Sequence, residues 1–186
     1  SLQVPNSLVD ASTDTKGTQY TPVIKATDAA GNSSTADGTP FVVDTQAPTV
    51  AVQIDADANN DGYINAAEKG SAITTSVTVI LDKSKMVAGD VITLTNATNT
   101  KTETVTLTDA DIKVGQIVSK GWELPDEGKQ LTVMATAQDL AGNVSAVASD
   151  AAKLDLTAPL NNKGVVSLTI DLDTNNDASI NAAEMG

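Results

Sequence analysis

The stretch ITTSVTVIL (residues 73–81) decides the fold class. Its apolar or methyl-bearing residues stand at alternate positions: Ile73, Thr75, Val77, Val79 and Leu81. Side chains at every second position of a β-strand point to the same face of a sheet. The pattern therefore predicts a strand with one face in a hydrophobic core.

Similar short segments lie on both sides of this one. They are residues 50–54, 91–95, 103–107, 130–137 and 144–149. Between them are AGD, NATN, PDEG and DLAGN, which are compositions typical of turns. Six or seven short strands in about 110 residues predict an all-β fold, an antiparallel sandwich of the immunoglobulin type.

The chain also repeats itself. ATDAAGNSS (26–34) matches AQDLAGNVS (137–145), and VAVQIDADANNDGYINAAEKG (50–70) matches VSLTIDLDTNNDASINAAEMG (166–186). The first pair is 111 residues apart and the second 116, because NNKGV (161–165) is an insertion. Such periodicity predicts a tandem array. Its predicted parts are the end of one repeat (1–43), a complete repeat (44–154) and the start of the next (155–186).

Residues 57–68, DANNDGYINAAE, match the twelve-residue calcium loop of the EF-hand at every defined position. Ca²⁺ takes six to eight oxygen ligands, which this loop supplies from positions 1, 3, 5, 7, 9 and 12. Gly62 permits the sharp turn, and we expect Ile64 to pack the loop inward. The predicted ligands are Asp57, Asn59, Asp61, Tyr63 (through its carbonyl), Asn65 and Glu68.

A second copy of the loop occupies residues 173–184. Its predicted ligands are Asp173, Asn175, Asp177, Ser179, Asn181 and Glu184. It departs from the pattern at Ala178, which stands where the first loop has glycine. A left-handed alanine costs about 1 kcal/mol, so we expect a weaker site. The alternative is an acidic turn without metal, but twelve spacings that occur twice favour the metal.

The predicted topology also places acidic residues at the joints between repeats. In a seven-stranded sandwich, a loop between the first two strands lies at the exit pole, beside Asp155. The DLAGN turn (139–143) lies at the entry pole, beside Asp44. Further candidate ligands at these joints are Asp28, Asp44, Asp55, Asp139, Asp155 and Asp171. The alternative for each is ordinary turn and cap chemistry.

Composition excludes several classes of function. The 186 residues carry 11 Lys, no Arg, His or Cys, and 24 acidic residues, a net charge of −13. Nucleic acids and anionic membranes bind clustered positive charge, so neither is an expected partner. No apolar run reaches the length of about 18 residues that suggests a membrane span. Without His or Cys, nucleophilic triads and zinc catalysis are excluded, and we expect no enzyme.

The combination of DxAGN, xDxxAP and DxNNDGxINAAE resembles the bacterial Ig-like repeats of giant calcium-dependent adhesins. These are type I-secreted, RTX- or biofilm-type proteins. The resemblance covers nearly the whole chain. It implies an extracellular place on a bacterial cell surface, Ca²⁺ at the loops and linker aspartates, and neighbouring repeats as partners. It also implies the role of an extender, a stalk that holds a distal adhesive module away from the cell.

Other functions are also compatible with the sequence. The chain could be a recognition module for a glycan or protein, or a calcium-dependent docking module. Direct recognition would need an exposed aromatic platform. Trp122 is the candidate for one, and the alternative is that it fills the core. The incomplete repeats at the two ends could also pair with a neighbouring chain.

Overall fold

The computed structural model describes residues 17–97, 101–159, 171–173, 175 and 177–185. The chain divides into two compact units, one ending at Asp155 and one beginning at Leu156. Residues 1–16 of the predicted preceding repeat and the insertion 161–165 lie outside the described residues. The repeat boundary at residue 44 stays a prediction.

Short strands dominate the described part of the first unit. Its strands are β1 (Thr18–Tyr20), β2 (Val23–Thr27), β3 (Ser33–Asp37), β4 (Phe41–Val43), β5 (Val50–Ile54), β6 (Tyr63–Ile64), β7 (Thr74–Leu81), β8 (Val91–Asn96), β9 (Thr102–Thr106), β10 (Gln116–Glu123), β11 (Gln130–Gln138) and β12 (Ala148–Leu154). The helices are α1 (Ala66–Lys69) and α2 (Asp109–Val114). Among the described residues, no helix has the length and apolar character needed to cross a membrane.

The first four strands form two small antiparallel pairs. β1 pairs with β4, and β2 pairs with β3. The rings of Tyr20 and Phe41 stack with their centroids 5.9 Å apart across the first pair. Burial is slight, since every residue of β2 and β3 is exposed.

The remaining strands form an Ig-like β-sandwich, which confirms the predicted fold class. One sheet has the order β10-β7-β5 and the other the order β6-β12-β11-β8-β9. Every pairing in both sheets is antiparallel except that of β6 with β12, which is parallel. Alternate residues of the strands meet in a core that includes Ile54, Val77, Ile92, Leu131 and Trp122.

Trp122 belongs to this core and forms no exposed platform. Its side chain has no exposed surface, and its Nε1 donates to Ser119 Oγ at 2.8 Å. Lys101 Nζ lies 4.3 Å from the ring centroid. The core alternative for this residue is therefore confirmed.

The structure corrects several strand boundaries. The predicted strand 144–149 begins and ends too early: DLAGN closes a turn in which Asp139 N donates to Asn143 O, Val144 forms an isolated bridge with Gln138, and β12 extends from Ala148 to Leu154. Ile73 precedes β7 and is 80% exposed, so the buried alternation begins at Thr75.

Several elements have no counterpart among the strands predicted from the sequence: β1–β4, β6, β10 and α2. In β10 the register shifts between Ser119 and Trp122, which breaks the alternation that would have revealed a strand. Helix α2 begins with a capping box between Thr108 and Asp111, a Thr-x-x-Asp signal that is present in the sequence.

Candidate metal centre

The first loop carries the chain from one sheet of the sandwich to the other. It leaves β5 at Ile54 and returns as β6, which pairs with β12. Lys153 N donates to Gly62 O at 2.9 Å, and Asp155 N donates to Ile64 O at 3.1 Å. The loop therefore lies beside Asp155, where the sandwich topology places it, and Ile64 is fully buried.

Asp57 occupies the centre of this loop. Its side chain has no exposed surface, and its two carboxylate oxygens accept from Asp61 N (3.0 Å) and Gly62 N (2.9 Å). A buried carboxylate is costly unless it is paired. Two backbone N–H groups hold the loop curled around this charge but supply no opposite charge.

The next two predicted ligands, at positions 3 and 5, follow the same curl. Asn59 Oδ1 accepts from Asp61 N at 3.1 Å, and Asn59 Nδ2 donates to Asp61 Oδ2 at 3.0 Å. Asp61 Oδ1 accepts from Tyr63 N at 2.9 Å. Gly62 has a φ of 84° at the sharpest point of the loop, a conformation in which glycine is unstrained.

The last two predicted ligands cap helix α1. Asn65 Oδ1 accepts from Ala67 N (2.8 Å) and Glu68 N (3.1 Å), while Glu68 Oε2 accepts from Asn65 N (3.0 Å). This reciprocal pair is a capping box. It holds the Glu68 carboxylate at the end of the loop, which is where a calcium loop has its bidentate ligand.

The second loop, in the second unit, repeats most of these hydrogen bonds. Asp173 Oδ1 accepts from Asp177 N (3.0 Å) and Asp173 Oδ2 from Ala178 N (3.0 Å). Asn181 N donates to Glu184 Oε2 at 3.0 Å. Ala178 has a φ of 68°, so the alanine adopts the left-handed conformation that its loop position requires. The two loops therefore curl in the same way around their first aspartate, with strain at Ala178 in the second, but residues 182–184 form a turn where the first loop has helix α1.

The DLAGN turn lies beside Asp44. Asp139 Oδ1 accepts from Asn143 N and Asp139 Oδ2 from Asn143 Nδ2, both at 2.8 Å. The same Asn143 Nδ2 donates to the carbonyl oxygen of Asp44 at 3.1 Å. The turn thus brings two of the predicted linker ligands together, although they are 95 residues apart in the chain.

Asp90 is a buried carboxylate near these two residues that sequence reasoning missed. Its side chain has no exposed surface; Oδ2 accepts from Val87 N at 2.9 Å, and Oδ1 has no hydrogen-bond partner within the described part of the chain. Burial raises the pKa of Asp90, and the nearby Asp139 and Asp44 carboxylates act in the same direction. Its sequence context, AGD, indicates only a turn, and no local signal distinguishes it from an exposed aspartate.

The remaining candidate aspartates lie elsewhere. The Asp55 carboxylate accepts from the Ser76 hydroxyl, across the β5–β7 pair. Asp28, in the turn between β2 and β3, is exposed, and the side chain of Asn32 together with backbone N–H groups lowers its pKa. Asp155 and Asp171 are exposed residues of the first and second units respectively.

The donor chemistry of each loop fits a hard cation. Carboxylate, amide and carbonyl oxygens are the groups that Ca²⁺ prefers, and the loops contain no sulfur or imidazole donor. Among the described residues, no three acidic side chains are grouped closely enough to form a metal cluster by themselves. The predicted ligands of the first loop include three carboxylates. A bound ion would therefore also need the amide and carbonyl oxygens of the loop as ligands.

Comparison with known proteins gives matches among solved structures alone. No family model and no curated protein matches the chain. Among solved structures, the chain is similar to a Ca²⁺-stabilized adhesin that helps an Antarctic bacterium reach out and bind ice. The identity is 26% and the TM-score 0.38, over 77% of this chain and 33% of that one. A 1.5-MDa bacterial ice-binding adhesin gives 24% identity and a TM-score of 0.38, over 75% of this chain and 43% of that one.

A third similar structure is a single domain. It is a bacterial immunoglobulin-like domain from the M. primoryensis ice-binding adhesin, with 24% identity and a TM-score of 0.36, over 60% of this chain and 100% of that one. The chain spans less than half of the first two structures. With TM-scores this low, the assignment of an Ig-like sandwich rests on the strand pairing of the chain itself.

Proposed function

We propose that the chain is a run of calcium-rigidified extender repeats from a bacterial cell-surface adhesin. Such a stalk positions a distal adhesive module for attachment to a cell or surface. One observation carries the proposal: a curled acidic loop, with the same two backbone hydrogen bonds to its first aspartate, occurs at two positions 116 residues apart. A tandem array would carry such a loop in each of its repeats, whereas a single binding site would need only one copy.

Calcium would be held in the first loop by Asp57, Asn59, Asp61, Asn65, Glu68 and the carbonyl of Tyr63. In the second loop Asp173, Asn175, Asp177, Asn181, Glu184 and Ser179 (through its carbonyl) are the corresponding set. The ion supplies the positive charge that the buried Asp57 carboxylate lacks. Because the ligands converge only in the folded loop, binding free energy adds to folding free energy.

The joints between repeats are the second part of the proposal. Asp44 and Asp139 are drawn together by Asn143, and Asp90 adds a buried carboxylate nearby. Since these carboxylates form no metal cluster by themselves, a cation at this joint would also need backbone or amide oxygens as ligands. Asp55, Asp155 and Asp171 are weaker candidates, and for Asp55 the bond to Ser76 is a sufficient role.

An extracellular location follows from the same chemistry. Calcium is scarce in the cytoplasm and abundant outside cells, so loops that need it would order after export. Repulsion within a chain of net charge −13 favours an expanded state until cations bind. The resemblance of the DxAGN, xDxxAP and loop motifs to adhesin repeats supports the bacterial surface. Neighbouring repeats of the same chain are the proposed partners.

Direct recognition of a glycan or protein is the weaker candidate. Trp122, the residue that could have formed an aromatic platform, is fully buried. A docking module of this kind carries paired calcium loops within one small unit, whereas these two loops lie 116 residues apart along the chain and in different units. The proposal includes no catalysis, because the chain has neither His nor Cys.

Thermal unfolding with saturating CaCl₂ and then with EGTA tests the proposal. A site saturated a hundredfold above its Kd adds about 2.7 kcal/mol, which raises the midpoint of a chain of this size by roughly 5–10 °C. Glu68→Gln removes one carboxylate ligand and should lose most of the part of this shift that comes from the first loop. Glu123→Gln, at the exposed end of β10, removes the same charge outside the loop and should keep the shift.

Curves that overlay with and without calcium would refute the calcium site, and with it the rigidified extender. An equal loss of the shift in both variants would point to a general charge effect. Binding of the calcium-loaded chain to a glycan array would favour the recognition module.

A further inference from the structure

Strand β6 is a short strand at the edge of the five-stranded sheet. It contributes two residue pairs, Tyr63 with Lys153 and Ile64 with Leu154. The amides of Lys153 and Asp155 point toward it and donate to Gly62 O and Ile64 O, at 2.9 and 3.1 Å. The intervening amide, that of Leu154, points the other way and donates to Lys129 O at 2.9 Å. Successive amides of one strand thus report on its two opposite edges.

The calcium loop encloses this strand. Asp61 immediately precedes the Gly62–Tyr63 bond, Asn65 immediately follows Ile64, and the carbonyl of Tyr63 is itself a predicted ligand. An ion held by these groups would restrain β6 at both of its ends. Without the ion, the carboxylates of Asp57, Asp61 and Glu68 repel one another around the same strand.

The contacts that hold β6 without an ion are few. Ile64 is fully buried in the core, and the pairing of β6 with β12 extends over only two residues. The preceding segment is tied to the same strand by Ile54 N, which donates to Asp150 Oδ2 at 2.7 Å. A strand paired over only two residues has a low free energy of local opening. A modest change in the stability of the loop can therefore shift the equilibrium between docked and released β6.

We propose that calcium in the first loop acts as a latch that clamps β6 onto the edge of β12. Removal of calcium releases β6 and frees that edge, while the rest of the sandwich stays folded. The inference rests on the proposed calcium site. It adds a conformational consequence, since the ion controls one strand and one sheet edge rather than the stability of the whole repeat uniformly.

Amide hydrogen exchange resolved by residue tests the latch in the full chain. On going from CaCl₂ to EGTA, the amides of Lys153 and Asp155 should exchange faster by about tenfold or more, whereas that of Leu154 should stay protected. The distal amide of Leu81, which donates to Gly115 O at 3.0 Å, should also stay protected. Acceleration of all four amides together would indicate global unfolding and overturn the latch.

Calorimetric titration of the same sample with CaCl₂ separates the two proposals. Calcium binding without any change at Lys153 and Asp155 overturns the latch and leaves the calcium site intact. The absence of binding overturns both.

A pair of matched substitutions tests the coupling in the reverse direction. Because coupling is reciprocal, Ile64→Val, which weakens β6 docking, should lower calcium affinity by about two- to tenfold. Ile73→Val makes the same truncation at a side chain that is 80% exposed and should leave the affinity unchanged. Equal affinities of the two variants would contradict the latch.

Discussion

The sixth residue of each loop should set how tightly that loop holds calcium. Gly62 and Ala178 occupy this position with φ values of 84° and 68°. A Cβ added to Gly62 would meet only the carbonyl oxygen of Ala151, at 3.9 Å, an ordinary contact. The cost of Gly62→Ala is therefore conformational, about 1 kcal/mol. The reverse change, Ala178→Gly, removes the same cost from the second loop.

The cost converts into affinity because calcium binds the curled loop alone. A penalty of about 1 kcal/mol lowers the curled fraction, and hence the apparent affinity, by roughly fivefold. We expect Gly62→Ala to weaken the first loop about fivefold and Ala178→Gly to tighten the second by a similar factor. The double variant should exchange the order in which the two loops fill.

Calcium titration followed by NMR at the amides of residues 62 and 178 measures each loop separately. Gly31→Ala is the matched control. Gly31 has a φ of 90° in the turn between β2 and β3, outside both loops, and a Cβ there meets no atom within 4 Å. This variant should lose stability without a change in either affinity. The reasoning fails if Ala178→Gly leaves the second loop unchanged, or if the control shifts the affinities as much as Gly62→Ala.

Two further predictions concern the buried polar groups of the sandwich. Trp122→Phe should lower the free energy of unfolding by about 1–3 kcal/mol, since Ser119 Oγ loses its donor inside the core. Ile73→Ala, at an exposed side chain, should stay within about 0.5 kcal/mol of the wild type in the same urea titration. The raised pKa of Asp90 means that folding disfavours its charge, so in EGTA stability should rise as the pH falls through that pKa toward the ordinary value of 3.8. Asp90→Asn should flatten this rise in a pH series of melting midpoints; an unchanged slope would contradict the assignment.

Much of the fold can be predicted from the sequence, because the patterns that mark its strands are local. Alternation in residues 75–81 and 130–137 marks buried strands, since the pleat itself sets the period of two. Where the pleat is interrupted, as in β10 between Ser119 and Trp122, the local signal fails. Helix α2 also carries a local signal, the Thr-x-x-Asp capping box, but at six residues it is too short to show a helical period.

The candidate metal site also has features that the sequence predicts and features that it does not. The twelve-residue spacing and the repeat predict both loops and a candidate donor set for each, because each set lies within one short segment. Burial could not be predicted, since it depends on residues far away in sequence. Asp57 and Asp90 are both fully buried, whereas Asp61 is exposed. Nothing in the neighbouring sequence distinguishes the buried aspartates from the exposed one.

By itself the sequence determined the strand periodicity, the repeat and the oxygen-rich loops, all of which follow from spacings along a single segment. Only the tertiary structure decided that the first loop carries the chain from one sheet to the other and that β6 then runs parallel to β12. It also decided that Asn143 joins Asp139 to the carbonyl of Asp44. The physical reason is that these contacts join groups about 90 residues apart, so they exist only after both sheets have packed on one core.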